Sequence, residues 1–108
     1  MFIWYKEIKI AKLDSEDCDF PTFYGKCELL RNIPEDIKKY IDFCIRTWPL
    51  IENDNLNDKY YQEEATFVGF IDSSDWWVTE DGGNKIPILV PIFTSDSGVS
   101  WRLDYSRE

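Results

Sequence analysis

Histidine is absent from this sequence. The side chain most often used as a general base near neutral pH, and the commonest metal ligand, are therefore both missing. Cys18, Cys27 and Cys44 are spaced unlike any zinc-binding pattern. A thiol nucleophile among them would lack its usual histidine partner. An odd number of cysteines permits at most one internal disulfide and always leaves one thiol over, so three free thiols in a reducing cytosol are expected.

Carboxylates are the remaining reactive groups. Glu63-Glu64 and Asp72/Asp75 are paired in sequence but set among polar neighbours. Nothing there implies the burial that drives two carboxylate pKa values apart for acid–base catalysis. Asp54, Asn55, Asn57 and Asp58 offer oxygen ligands, as do Asp72, Ser73 and Asp75. Neither group has the spacing of an EF-hand loop, and in the first Leu56 stands where the second ligand belongs. Gly82-Gly83 lies among acids that would repel phosphate and reads as a hairpin turn. No catalytic residue, no metal and no cofactor is expected.

What carboxylates can still do is attract a cationic partner. The chain carries 21 acidic and 12 basic residues, for a net charge of −9. That balance disfavours direct nucleic-acid binding and docking on anionic lipid. The excess is concentrated. Between residues 50 and 81, Glu52, Asp54, Asp58, Glu63, Glu64, Asp72, Asp75, Glu80 and Asp81 face Lys59 alone. The same stretch carries Tyr60-Tyr61 and Trp76-Trp77. Adjacent residues on a strand point to opposite faces, so one Trp should enter the core and the other should stand outside among Asp75, Glu80 and Asp81. The expected partner-binding residues are thus Tyr60, Tyr61, Glu63, Glu64, Asp72, Asp75, Trp76, Trp77, Glu80 and Asp81. Aromatic anchors and steering charges are what a protein interface needs. A rival patch is the acidic loop 14–19 with Phe20 and Phe23.

The elements that must position these groups fit one domain, residues 1–108. Hydrophobic residues at 44% and aromatics at 17% can build a core. Residues 2–10 alternate as one strand, with Phe2, Trp4, Ile8 and Ile10 on one face and Lys6 the exception. After Phe20-Pro21, Phe23, Gly25, Cys27 and Leu29 alternate in a second strand, paired with the first through a long loop. A helix follows, with Asn32 as N-cap, Glu35-Asp36 in its first turn, and Ile37, Tyr40, Ile41, Cys44 and Ile45 as its apolar stripe. Pro49 should end it. Residues 52–64 read as loop or a short irregular helix. Strands are then expected at 65–71, 76–79, 86–93 and 99–105, separated by turns at 72–75, 81–84 and 95–98. Pro87 and Pro91 remove two donors from one side of the third, which should be an edge or bulged there. The expected class is α+β: an antiparallel sheet, made of a C-terminal four-stranded meander plus N-terminal strands, with one main helix packed on a face.

No apolar run approaches the length of a membrane-spanning helix, and the first residues lack the basic start of a signal peptide, so the expected location is cytoplasmic. In size, charge, α+β layout and acidic aromatic surface, the whole chain resembles the bacterial immunity proteins of colicin and contact-dependent growth inhibition systems. That resemblance implies a cytoplasmic antitoxin that neutralises a basic toxin, a nuclease domain above all, by presenting fixed carboxylates to its phosphate-binding groove. The alternative is an acidic decoy of nucleic acid, made by a phage or mobile element against a host defence or DNA-binding protein. A decoy needs carboxylates spaced like phosphates over a long face, whereas the charge here lies in one compact block.

Overall fold

The computed structural model describes residues 1–14, 16–80, 83–94 and 97–107. It is α+β, an eight-stranded antiparallel sheet with one main helix. The strands are β1 (Phe2–Tyr5), β2 (Ile8–Leu13), β3 (Asp17–Asp19), β4 (Thr22–Leu29), β5 (Trp76–Thr79), β6 (Lys85–Pro87), β7 (Ile92–Phe93) and β8 (Gly98–Arg102). The helices are α1 (Glu35–Glu52), α2 (Asp58–Ala65) and α3 (Val68–Ile71).

The strand order is β6-β5-β1-β2-β4-β8-β7, with β3 paired to β4. Its two ends, β6 and β7, are halves of one run, residues 85–93. The first half pairs with β5 and the second with β8, and Ile88 bridges Leu103 between them. The sheet therefore closes on itself. The proline pair explains how one segment serves two partners. Leu89 donates its N–H to Arg102 at 2.9 Å and the carbonyl of Pro87 accepts from Asp104 at 3.0 Å, while Ile88 turns the other way to donate to Trp76 at 3.2 Å. Pro87 and Pro91 have no N–H to offer, so the ladder is interrupted where the expected bulge lies.

Cross-strand register puts Ile3, Ala11, Val78 and Ile86 on one level of the inner face, and Leu13 with Cys27, and Phe93 with Val99, on others. Helix α1 packs on β7 and buries Ile37, Tyr40, Ile41, Phe43, Cys44 and Thr47. The hydroxyl of Tyr40 donates to the carbonyl of Pro91 at 2.9 Å, which ties the helix to the segment that closes the sheet. Rings continue the core. Tyr5 and Phe70 lie against Trp76, Tyr40 against Phe67, and Phe43 against both Phe67 and Tyr60, with centroids 4.7 to 6.5 Å apart.

Several expectations need correction. Residues 2–10 are not one strand. Lys6, at φ 55°, turns the chain into the β1–β2 hairpin, so Ile3 and Ile10 reach the core while Phe2 and Trp4 lie on the outer face. Asn32 does not cap α1. Pro34 holds that position in extended geometry, without a side-chain cap. Pro49 does not end the helix either. It lies inside the last turn, where its carbonyl accepts from both the backbone and side-chain amides of Asn53 at 3.1 and 2.9 Å. The polar stretch after α1 does contain a short helix, α2, capped by Asn57, which accepts from the amide of Tyr60 at 3.0 Å. Residues 65–71 form no strand: they are the end of α2, a turn and α3. Phe67 and Phe70 recur at helical spacing there and dock on Tyr40 from one side, and tertiary packing overrides the β-propensity of the segment. The C-terminal half still contributes four strands, β5–β8, because the run 85–93 supplies two of them. β5 and β6 pair antiparallel on either side of the expected turn at 81–84. Gly83 has φ 84° there, while Asp81 and Gly82 lie outside the described residues.

Trp76 is 0% exposed, and its indole N–H donates to the carbonyl of Phe70 at 2.9 Å. Trp76→Ala should lower stability by roughly 3–5 kcal/mol, read as a drop in the urea midpoint at unchanged slope. Trp77→Ala, on the half-buried outer face, should cost less than half as much. Equal losses would show that the two faces of β5 are not distinguished in this way.

Candidate functional site

The ten residues expected to form a binding surface fall into two groups. The first lies on β5 and the loop before it. Trp76 is a core residue, and Trp77 points to the opposite, half-buried face, which assigns the inner and outer members of the pair. Among the described residues, a lysine and apolar groups lie at Trp77. It faces Trp4 and Pro87 across the sheet, and the ammonium of Lys85 lies 5.7 Å from its ring centroid. Lys9 lies similarly over Phe2 and Trp4, at 4.3 and 5.4 Å. Cations fold down on this aromatic face. The carboxylate of Asp75 accepts from the hydroxyl of Ser73 at 3.2 Å, and its backbone carbonyl accepts from Lys6 at 2.8 Å. Asp72 and Glu80 are exposed, and Asp81 lies outside the described residues.

The second group lies on α2, docked against α1. Tyr60 is buried, stacked on Phe43, and donates to Glu64 at 2.8 Å. Burial, then the Glu64 carboxylate, holds its phenol well above the usual tyrosine range. Glu63 makes a two-armed pair with the guanidinium of Arg46, at 3.2 and 2.5 Å, which lowers its carboxyl below the usual glutamate range. Arg46 also binds Asp42 at 3.2 Å. Tyr60, Glu63 and Glu64 are thus engaged within the molecule, and Tyr61 meets the Tyr60 ring edge-on at 5.3 Å. Tyr61, 53% exposed, points outward.

Open aromatics and carboxylates also coincide at the β3–β4 hairpin, in the region of the rival patch. Phe20 at its tip is 77% exposed and Tyr24 is 43% exposed. Asp17 pairs with Tyr24 across the ladder and Asp19 with Thr22, so both carboxylates share the face of Tyr24. Asp17, through its charge, then burial and its hydrogen bond, with Asp19 beyond, pushes the Tyr24 phenol above its ordinary value. Phe23 points the other way and stacks on Trp101 at 6.0 Å. The alternation of Phe23 with Tyr24 already carried this outward direction for Tyr24. The pairing of residues 17–19 with β4 had no such signal, because an acidic run reads as loop.

Beside the hairpin lies a cleft of about 610 Å³, lined among others by Glu16, Asp17, Tyr24 and Trp48. Trp48 directly precedes Pro49, the residue expected to end the helix. Because α1 continues through Pro49, Trp48 stands instead on a regular helical face. Among the described residues, no group of three or more Cys, Asp or Glu side chains converges as a metal site. The arrangement offers stacking surface and hydrogen-bond acceptors for a cation. Comparison with known proteins found no matching family model, no matching curated protein and no matching solved structure.

Two measurements check this picture. Asp17→Asn should bring the Tyr24 phenol down toward the ordinary tyrosine range, because it removes the carboxylate that opposes phenolate formation; a pH titration of the Tyr24 ring resonances reads the shift. The thiols should also separate. Cys18 is exposed, whereas Cys27 and Cys44 are buried, and burial pushes Cys27 up to about 11. At pH 8 a thiol of that kind is thiolate about one part in a thousand. Cys18 should therefore react with a maleimide promptly, and the other two only on unfolding.

Proposed function

We propose that this chain is a binding protein that neutralises a basic protein partner in the cytoplasm, in the manner of a bacterial immunity protein, with the nuclease domain of a toxin as that partner. The observation that carries this reading is the face of the β3–β4 hairpin. Asp17, Asp19 and Tyr24 lie together there beside the exposed Phe20, on strands held by backbone ladders and not on a free loop. Fixed carboxylates steer a cationic partner and slow its release, and an exposed ring supplies the buried area that an anchor needs. A reducing cytoplasm also suits three free thiols.

The surface suits a compact contact better than a nucleic-acid decoy. A decoy requires an unbroken file of carboxylates, yet Glu63 and Glu64 are turned to internal partners and lysines cover the rings at Trp4 and Trp77. The absence of histidine supports binding rather than acid–base turnover.

The experiment is affinity capture from the native host at low salt. Toxicity of the captured protein is then assayed with and without co-expression of this chain. A basic protein, lethal alone and harmless together, is the expected outcome. Its association rate should fall as salt rises, and the double change Asp17→Lys with Asp19→Lys should slow association by about tenfold or more at low ionic strength. Capture of an acidic partner or of nucleic acid, or association indifferent to salt, would contradict the proposal.

A further inference from the structure

The cleft beside the hairpin does not stand alone. A second cavity of about 330 Å³ adjoins it, sharing Thr94 and Gly98, and a third of about 290 Å³ adjoins the second, sharing Leu29 and Ile45. Together they make a groove between α1 and β4. On the helix side its wall is Ile41, Ile45 and Trp48, spaced to lie along one face. Opposite, Gly25 and Gly98 line the first cavity, and Leu29, 42% exposed, lines the other two.

Three features define what fits. The first is length. From Lys38 to Trp48 the helix rises about 15 Å, the span of roughly five residues of extended chain. The second is the edge. The pairing of β4 with β8 ends at Lys26 opposite Gly98, followed by one bond from the amide of Cys27 to Ser97 at 2.8 Å. Beyond that, among the described residues, this side of β4 has no strand partner. The third is charge. Glu16, Asp17, Glu28 and Asp42 line the groove against Lys26 and Lys38. The two carboxylates of the largest cavity accompany two aromatic rings, Tyr24 and Trp48. A guanidinium is planar, stacks on rings and pairs with carboxylates in fork geometry.

We infer that the α1–β4 groove docks an extended basic segment of the protein partner, with an arginine side chain seated in the 610 Å³ cleft between Tyr24 and Trp48, against Glu16 and Asp17. This rests on the neutralisation reading for its partner, and it names the surface and the chemistry recognised. The apolar walls toward Ile41 take the uncharged side chains that alternate with the cation along an extended chain. The rising titration of Tyr24 is consistent with a local negative potential at the mouth of the cleft.

The test uses the full chain, ¹⁵N-labelled, titrated with the peptide acetyl-Val-Arg-Val-Arg-Val-amide and with the same peptide carrying citrulline for arginine. Saturable shifts are expected at Tyr24, Gly25, Gly98 and the Trp48 indole, with affinity at least about tenfold weaker for the citrulline peptide. The double variant Glu16→Gln with Asp17→Asn should show the same weakening. Both positions are exposed, and an unchanged spectrum elsewhere checks that the fold is kept. Shifts centred on β5 or α2, shifts indifferent to citrulline, or no saturable shift would overturn the groove. The captured partner separates the two proposals. If it binds Trp48→Leu and Glu16→Gln as tightly as the native chain while Asp17→Lys with Asp19→Lys slows its association, the groove is refuted and neutralisation stands. If the arginine peptide titrates as expected but no basic partner is captured, the groove stands and neutralisation is refuted.

Discussion

One stretch of chain, residues 85–93, has to satisfy both open edges of the sheet. Its first half completes β5 and its second completes β8. Pro87 and Pro91 withhold hydrogen-bond donors where the change of partner occurs, and Ile88 is left to bridge Leu103. The hydrogen bond from Tyr40 to Pro91 then fixes α1 over this join. The position of α1 decides where Trp48 stands, and Trp48 decides whether a groove exists beside β4. The candidate surface thus depends on a constraint at the opposite side of the chain's register. An unpaired carbonyl at Pro91, buried under the helix, would cost on the order of 1–3 kcal/mol, which is enough to make the Tyr40 hydroxyl a structural necessity.

Aromatic content and acidic charge, which coincide in sequence between residues 50 and 81, part company in three dimensions. Trp76, Phe70, Phe67 and Tyr60 line up with Tyr40 and Phe43 in one continuous set of rings. A small domain with many rings and one main helix uses them where two layers must be filled. Among the described residues, the carboxylates of the same segment are left to solvent or engaged by Arg46, Tyr60 and Ser73. The lysines of the outer sheet face lie over Phe2, Trp4 and Trp77. Repositioning of both kinds of group makes the β3–β4 hairpin a place where open rings and open carboxylates meet.

Much of this was legible in the residues. The α+β class, the apolar stripe of α1, the hairpin β5–β6 and the opposite directions of Trp76 and Trp77 all follow from periodicity and turn chemistry. The edges of that legibility are instructive. Residues 2–10 keep an alternating pattern through Lys6, so a two-residue turn without glycine or asparagine leaves no mark on the sequence. Residues 65–71 are rich in strand-forming side chains, yet their rings find Tyr40 only if the chain coils. Pro49 is tolerated in α1 because it lies in the last turn, where it removes one donor, and the turn beyond it is held by Asn53, whose backbone and side-chain amides donate to the carbonyl of Pro49. The candidate site was the least legible part, because composition says which groups are present and not which of them the core consumes.

The indole of Trp4 donates to the hydroxyl of Thr79 across 75 residues, and Arg102 reaches Thr22 across 80. At ribosomal speeds of 5–20 residues per second, β1 would wait roughly 4–15 s for β5 to be synthesised. During that interval the β1–β2 hairpin exposes the inner-face residues Ile3 and Ile10 with no second layer to cover them. Such a sheet forms late and cooperatively, since loop closure must precede most of its rewarding contacts. Under the proposed neutralising function, a working stock ready before the partner arrives would have to be made early and in excess. For this fold, the timing of synthesis is as much a part of its competence as the shape of its surface.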